Sequence, residues 1–278
     1  MIRKILTYFK NGIQYVKRGG VVYTTVSQIR YGQLFKGKKV LITGGGSGFG
    51  YAMAGKFLNE GAEVLITGRN EEKLKHAVSS FRSPNIHYLV WDLLDTTAVS
   101  SKFNDALQTI GGDFDIFINN AGVWKNTKCL KVSEKEWDMI VDTNLKGLFF
   151  IMQEEANYLL SANMEGKIIN ITSVEGIRTD FNPYSASKWG ANDLTRGLAK
   201  QLAPKGIIIN AIAPGVALTD INRELKDKAG DNEYYPVHRT GRFTKVEEVA
   251  ELAAFLASNA ANNIVGQIIA IDGGWTLI

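Results

Sequence analysis

Tyr184 and Lys188 stand four positions apart, a spacing that could do acid–base chemistry. On a helix this step puts both side chains on one face, about one turn apart. A free phenol gives up its proton only near pH ~10. A neighbouring ammonium favours the phenolate and draws that value toward neutrality. Ser173 precedes the pair and brings a hydroxyl that could hold a substrate oxygen. On its own, a tyrosine–lysine pair at this spacing is usually surface decoration, so the rest of the chain must decide.

A second chemical feature is the run Thr43-Gly44-Gly45-Gly46-Ser47-Gly48-Phe49-Gly50. It lies between an apolar stretch and a helical one, where the chain must turn tightly and bring its backbone near a ligand. Glycine permits both because it lacks a Cβ and tolerates positive φ. The helix that follows offers free N–H groups and a positive dipole end to phosphates. No lysine follows the glycines as a nucleoside triphosphate site would require. After the second predicted strand comes Gly68-Arg69-Asn70 rather than a carboxylate. An acid there would accept from the ribose 2′-hydroxyl of NAD, whereas Arg69 would pair with the 2′-phosphate of NADP. The expected cofactor is therefore NADP(H) more than NAD(H).

These residues need a frame, and the apolar pattern supplies one. Short strands are predicted at Val40–Thr43, Ala62–Thr67, Ile86–Trp91, Ile116–Asn119, Lys167–Thr172, Ile207–Ile212 and Ile268–Ile271. Helices are predicted at Phe49–Asn59, Glu71–Phe81, Thr97–Ile110 and Pro183–Ala203, with further helical material within Glu134–Ala162 and from near Thr244. Strands that are apolar on both faces and alternate with helices indicate a parallel sheet covered on both sides. The expected fold is thus α/β, a single doubly wound Rossmann-type sheet of about seven strands with an N-terminal helical extension.

Residues 1–36 form that extension and 37–278 the catalytic domain. Ile2, Ile5, Phe9, Ile13 and Val16 recur at helical steps beside Arg3, Lys4, Lys10, Lys17 and Arg18. Such a face packs on the body or on a neighbouring subunit; the alternative is contact of residues 1–18 with an anionic membrane surface. No apolar run reaches bilayer-spanning length and polar residues interrupt any signal-like start, so a cytoplasmic location is expected. Cys129 is the sole cysteine and His76, His87 and His238 are scattered, which leaves no metal-ligand pattern. The net charge of +4 is mild and shows no nucleic-acid stripe.

With these motifs in order, residues 37–278 resemble the short-chain dehydrogenase/reductase family. The residues that carry the resemblance are Thr43 to Gly50, Asp92-Leu93, Asn119-Asn120-Ala121-Gly122, Asn144, Ser173, Tyr184 with Lys188, Pro214-Gly215 with Thr219, and Gly266-Gln267 with Asp272-Gly273-Gly274. The resemblance implies a hydride transfer between a nicotinamide cofactor and an alcohol/ketone substrate. It gives Tyr184 the role of general acid or base and Ser173 that of orienting the carbonyl. Lys188 would tune Tyr184 and hold the nicotinamide ribose, while Asn144, through a helix distortion, would hold a water in a relay to Lys188. Contacts to the cofactor would come from Thr43, Gly44, Gly46, Ser47, Gly48, Phe49, Gly50, Arg69, Asp92, Leu93, Asn120, Ala121, Gly122, Tyr184, Lys188, Pro214, Gly215, Val216 and Thr219. Asn119 has a structural alternative, and a homo-oligomer, dimer or tetramer, is expected by resemblance only.

Ser173 and Tyr184 are closer in sequence than in many family members, which predicts a tighter loop on the substrate side. Val216 to Arg242 is polar and aromatic and is similar to a substrate lid. Trp124, Glu175, Arg178 and Phe181 are candidate pocket residues. Polar lid residues suit a 3-oxoacyl ketone, a sugar or polyol, or a small secondary alcohol better than a steroid. The competing reading is a non-catalytic cofactor-binding regulator or scaffold of the same fold.

Overall fold

The structure, a computed structural model, describes residues 31–125, 130–222 and 232–277, together with residues 12, 13, 16, 225, 227 and 229. Among these residues the chain folds around one parallel sheet of seven strands: β1 (Lys39–Thr43), β2 (Glu63–Gly68), β3 (Ile86–Val90), β4 (Ile116–Asn119), β5 (Gly166–Ile171), β6 (Ile207–Pro214) and β7 (Ile268–Ile271). Their spatial order is β3-β2-β1-β4-β5-β6-β7. The order reverses between β1 and β4, where Val40 to Thr43 run in register with Ile116 to Asn119. A crevice must open outside the strand ends at such a point, because the connections leave toward opposite faces.

Alternation along the strands builds the two cores. Val40 and Ile42 of β1 and Val64 and Ile66 of β2 face one side, with Met53 and Phe57 of α1 (Gly48–Asn59), Leu74 of α2 (Glu71–Phe81) and Val249 and Ala253 of α7 (Val246–Ala257). Leu41 and Leu65 face the other, against Phe103 of α3 (Val99–Ile110), Ile151 and Leu159 of α5 (Gly147–Ser161) and Ala199 of α6 (Pro183–Leu202). This is the period-two pattern of strands buried on both faces. Phe35 also enters the core, with its ring 4.7 Å from that of Phe57. Ordered packing therefore reaches back into the end of the predicted N-terminal extension.

Local chemistry sets the helix starts. The Asn70 side chain accepts the Lys73 N–H at the head of α2. Ser133 and Glu136 close a reciprocal box on α4 (Glu134–Val141). Asn182 caps α6, and Pro183 fills its first position. Within the stretch expected to be helical, Asp142–Lys146 forms a π turn in which the Gly147 N–H reaches the Asp142 carbonyl. It separates α4 from α5 and carries Asn144.

Most of residues 1–18 lie outside the described residues, as does Cys129. The exceptions on the predicted apolar face, Ile13 and Val16, are exposed. At these two positions the expected packing against the body is not found. Among the described residues, no helix is long and apolar enough to cross a membrane.

Candidate active site

A cavity of about 480 Å³ opens at the switch point between β1 and β4. Gly44, Gly46, Ser47, Gly48 and Phe49 line one end. Gly44 has φ +67°, and a Cβ there would lie 2.9 Å from the Ala121 Cα. A Cβ on Gly50 would lie 2.3 Å from the Gly44 carbonyl oxygen, so Gly50 allows the turn to fold onto itself rather than lining the cavity. Ser47, Gly48 and Phe49 form the start of α1, whose first turn holds no acidic residue. A side-chain-free turn on an unneutralised helix N-terminus fits a pyrophosphate.

Two of the sequence-predicted contacts also act as supports, Thr43 from behind the cavity and Asn120 from its lining. The Thr43 hydroxyl is buried and accepts the Asn120 and Ala121 N–H groups at 3.0 and 3.1 Å. The Asn120 side-chain amide donates to the Thr43 and Gly44 carbonyls at 3.0 and 2.9 Å. Together they lock the glycine turn to the end of β4. Asn119 turns inward and donates to Glu155 and Asn170, in keeping with its structural alternative.

At the other end of the cavity stand Ser173, Tyr184 and Lys188. Ser173 stands two residues beyond β5, where its hydroxyl accepts the Glu175 N–H at 3.1 Å. Burial pushes the Tyr184 phenol up to about 12; the Ser173 hydroxyl pulls it down, and the Glu175 carboxylate raises it. Burial pulls Lys188 down to about 8. Its ammonium donates to the Ile171 carbonyl at 3.1 Å and lies 5.7 Å from the Tyr184 ring centre. The expected lowering of the phenol by Lys188 is not found: burial is the largest effect on both groups, and the Ser173 hydroxyl is what pulls the phenol down. Asn144 is buried beside them. Its side chain accepts the Val123 N–H at 2.7 Å and donates to the Val123 carbonyl at 2.8 Å. A Cβ on Gly122 would come within 3.3 Å of the Asn144 side chain and 3.7 Å of the Lys188 ammonium.

A family model described as "Enoyl-(Acyl carrier protein) reductase" matches residues 44–276. The chain belongs to the short-chain dehydrogenase/reductase family. It is 35% identical over 249 residues to the gluconate 5-dehydrogenase of Gluconobacter oxydans, covering 87% of this chain and 95% of that one. It is also 35% identical over 245 residues to the 3-oxoacyl-[acyl-carrier-protein] reductase FabG of Thermotoga maritima, covering 86% and 98%. Among solved structures, a protein of Agrobacterium tumefaciens described as a 2-deoxy-D-gluconate 3-dehydrogenase, with bound NADP, superposes with a TM-score of 0.78. The identity is 35%, over 90% of this chain and all of that one. A 3-ketoacyl-(acyl-carrier-protein) reductase of Brucella melitensis complexed with NADH gives 0.77 at 29% identity, over 87% and 99%. This short-chain dehydrogenase/reductase is accordingly an NAD(P)(H)-dependent oxidoreductase acting on CH–OH groups.

Of the other predicted residues of this short-chain dehydrogenase/reductase, Arg69, Ala121, Gly122, Pro214, Gly215, Val216 and Thr219 line the cavity. Asp92 and Leu93 do not: Asp92 is exposed and accepts the Leu94 N–H, and Leu93 is buried. Trp124 and Glu175 line the cavity, but Phe181 is 72% exposed and stands outside it. Arg178 stacks its guanidinium 4.1 Å from the ring centre of Trp275, a wall residue the sequence reading missed. Lys73 was also missed. It lines the cavity near Arg69 and pairs with Asp220 at 3.0 Å. Its place three residues after the α2 cap was the available signal. Of the lid, Arg223 and Asp231 lie outside the described residues. Glu233, Tyr234 and Tyr235 are described, and Glu233 pairs with Lys245.

Proposed function

We propose that the chain is an NADPH-dependent ketone reductase in which Tyr184 is the general acid and Ser173 the second donor to the substrate oxygen. The observation that carries this reading is a phenol held near 12 beside a serine hydroxyl, in the wall of a cavity that begins at a glycine turn. A phenol at that value keeps its proton at neutral pH, so the proton is in place when the far more basic alkoxide forms. Reduction creates negative charge on the ketone oxygen, and Tyr184 and Ser173 are placed to stabilise it and supply the proton. A bound nicotinamide would supply the hydride. Lys188, behind Tyr184, would lower the phenol as charge develops and hold the ribose. Asn144 would serve through its place in the π turn, since its side chain is committed to Val123.

Residues Gly44 to Phe49 would take the pyrophosphate, and Arg69 with Lys73 the 2′-phosphate. No carboxylate pairs with Arg69 among the described residues, which supports NADP over NAD. Pro214 to Thr219 would meet the nicotinamide amide. The substrate is a polar ketone, either a 3-oxoacyl compound or an oxidised sugar or polyol. The exposed Ile13 and Val16 support a docking role for residues 1–18, on an anionic membrane or on a second copy in a dimer or tetramer, with the enzyme in the cytoplasm. Equal vesicle pelleting by the full chain and a version starting at Lys36 would remove the membrane version.

The test is reduction of 3-oxoacyl thioesters and keto-aldonates with NADPH and NADH. NADPH consumption with one substrate class is expected. Cofactor binding without turnover on any polar ketone would instead support the scaffold reading.

A further inference from the structure

His238 takes no part in the chemistry above, yet it is 1% exposed. The backbone makes room for it. A Cβ on Gly215 would lie 2.8 Å from its Cε1 and Nε2, and one on Gly273 2.9 Å from its Cβ. Tyr235 meets the ring edge-on at 4.9 Å between centres, and Trp275 lies 5.7 Å away. Both ring nitrogens are engaged. Nδ1 lies 2.8 Å from the Arg242 carbonyl oxygen, and the Val216 N–H reaches Nε2 at 3.2 Å. A carbonyl only accepts and a backbone N–H only donates, so the ring must be neutral with its proton on Nδ1.

The Val216 end of this arrangement matters for the cavity. Gly215 donates to the Ile271 carbonyl at 3.0 Å, and the Val216 carbonyl accepts the Thr244 N–H at 2.9 Å. The Val216 N–H depends on His238. Pro214, Gly215 and Val216 all line the cavity, whereas His238 does not. We propose that His238 is a positioning residue: its neutral Nδ1–H form holds the Pro214-Gly215-Val216 segment at the nicotinamide end of the cavity, and protonation releases it. This rests on the cofactor reading above.

A proton on Nε2 would set two donors against each other at Val216, inside a packed shell that cannot move aside freely. Several charged or titratable groups surround the ring. Asp272 follows β7, Arg242 stands on the lid side with its guanidinium 2.6 Å from Glu248 of α7, Tyr235 comes from the lid, and Arg178 lies on Trp275. Burial lowers the His238 value; the Arg242 carbonyl, Asp272 and Glu248 act in the raising direction, while the Arg242 charge lowers it. The net value lies below the ordinary 6.5, so the segment is held at neutral pH and released as the solution is acidified below that point.

The experiment titrates NADP⁺ onto the full chain, His238→Gln and His238→Asn, following tryptophan fluorescence from about pH 7.5 down to about pH 5.5. The 2′-phosphate's own titration is common to all three proteins. Glutamine offers an oxygen near the Nε2 position, and asparagine offers only the N–H near Nδ1. The unsubstituted protein is expected to lose affinity toward the acid end of this range, by less than about tenfold, beyond any loss in His238→Gln. His238→Asn is expected to bind about tenfold more weakly throughout. An acid limb in His238→Gln equal to that of the unsubstituted protein overturns the proposal, as does normal binding by His238→Asn. The ¹⁵N shifts of the His238 ring decide independently of whether either variant folds. A neutral Nδ1–H ring persisting below pH 6.5 is expected, and an Nε2–H ring or an imidazolium above that pH overturns the assignment. If the unsubstituted protein binds neither NADP⁺ nor NAD⁺, the cofactor reading fails, and the ring shifts still judge His238.

Discussion

The two ends of the cavity are built from different material. The end at β1, β2 and β4 is largely backbone: the glycine turn, the start of α1 and the Ala121-Gly122 stretch, locked by Thr43 and Asn120. The end after β5, β6 and β7 is largely side chains drawn from separate segments: Ser173, Glu175, Tyr184, Lys188 and Trp275 line it, with Arg178 on the Trp275 ring and His238 and Tyr235 packed behind. A backbone site suits a ligand that never changes, because its geometry tolerates almost no substitution. A side-chain wall can be varied without disturbing the fold. The shared cofactor therefore belongs at the first end and substrate choice at the second.

That contrast can be broken or sharpened by substitution. Tyr184→Phe should cost about 10²- to 10⁴-fold in turnover while leaving cofactor affinity nearly unchanged, checked by steady-state kinetics beside a binding titration. Equal losses in both would merge the two ends. Gly50→Val pushes a side chain into the Gly44 carbonyl. It should cost about 3 kcal/mol of stability on denaturant melts and weaken cofactor binding along with it.

Lys188→Met tests a cost of the catalytic group. The folded value of about 8 lies below the ordinary 10.5, because burial disfavours the charged form. Stability from this group is fully present above pH 10.5 and is lost as pH falls through about 8. The methionine variant should therefore be inactive yet more stable at neutral pH, by roughly 2 kcal/mol, and should lose the rise in stability between those values. A destabilised variant would count against a buried ammonium at this position. Smallest is Lys73→Ala, which should weaken NADPH binding about twofold and NADH binding not at all, since its ion pair with Asp220 is exposed.

The same contrast explains what the chain's sequence revealed. The strands and most helices were legible because buried strands need apolar runs and the helices between them need an apolar face toward the sheet. The glycine turn was legible because steric demands there select one residue type. Tyr184 and Lys188 could be paired because a helix brings them together locally. The wall was harder. Trp275 reaches the cavity only through the turn after β7, and His238 is buried by glycines distant in sequence, so neither carries a periodic signal. Phe181 was misplaced for the opposite reason: it sits beside Tyr184 in the chain, but the Asp180–Asn182 turn leaves it facing solvent. Asp92 and Leu93 follow the third strand as the family resemblance requires, yet their side chains are directed to local structure and core.

The most direct test of the central claim is an equilibrium titration of the purified chain with NADPH and NADH, following nicotinamide fluorescence, repeated with Arg69→Ala. The account predicts tighter binding of NADPH, with a loss of about tenfold for NADPH alone in the variant. Binding of neither cofactor would contradict the assignment of the glycine-lined end, and unchanged NADPH binding by the variant would remove Arg69 from it.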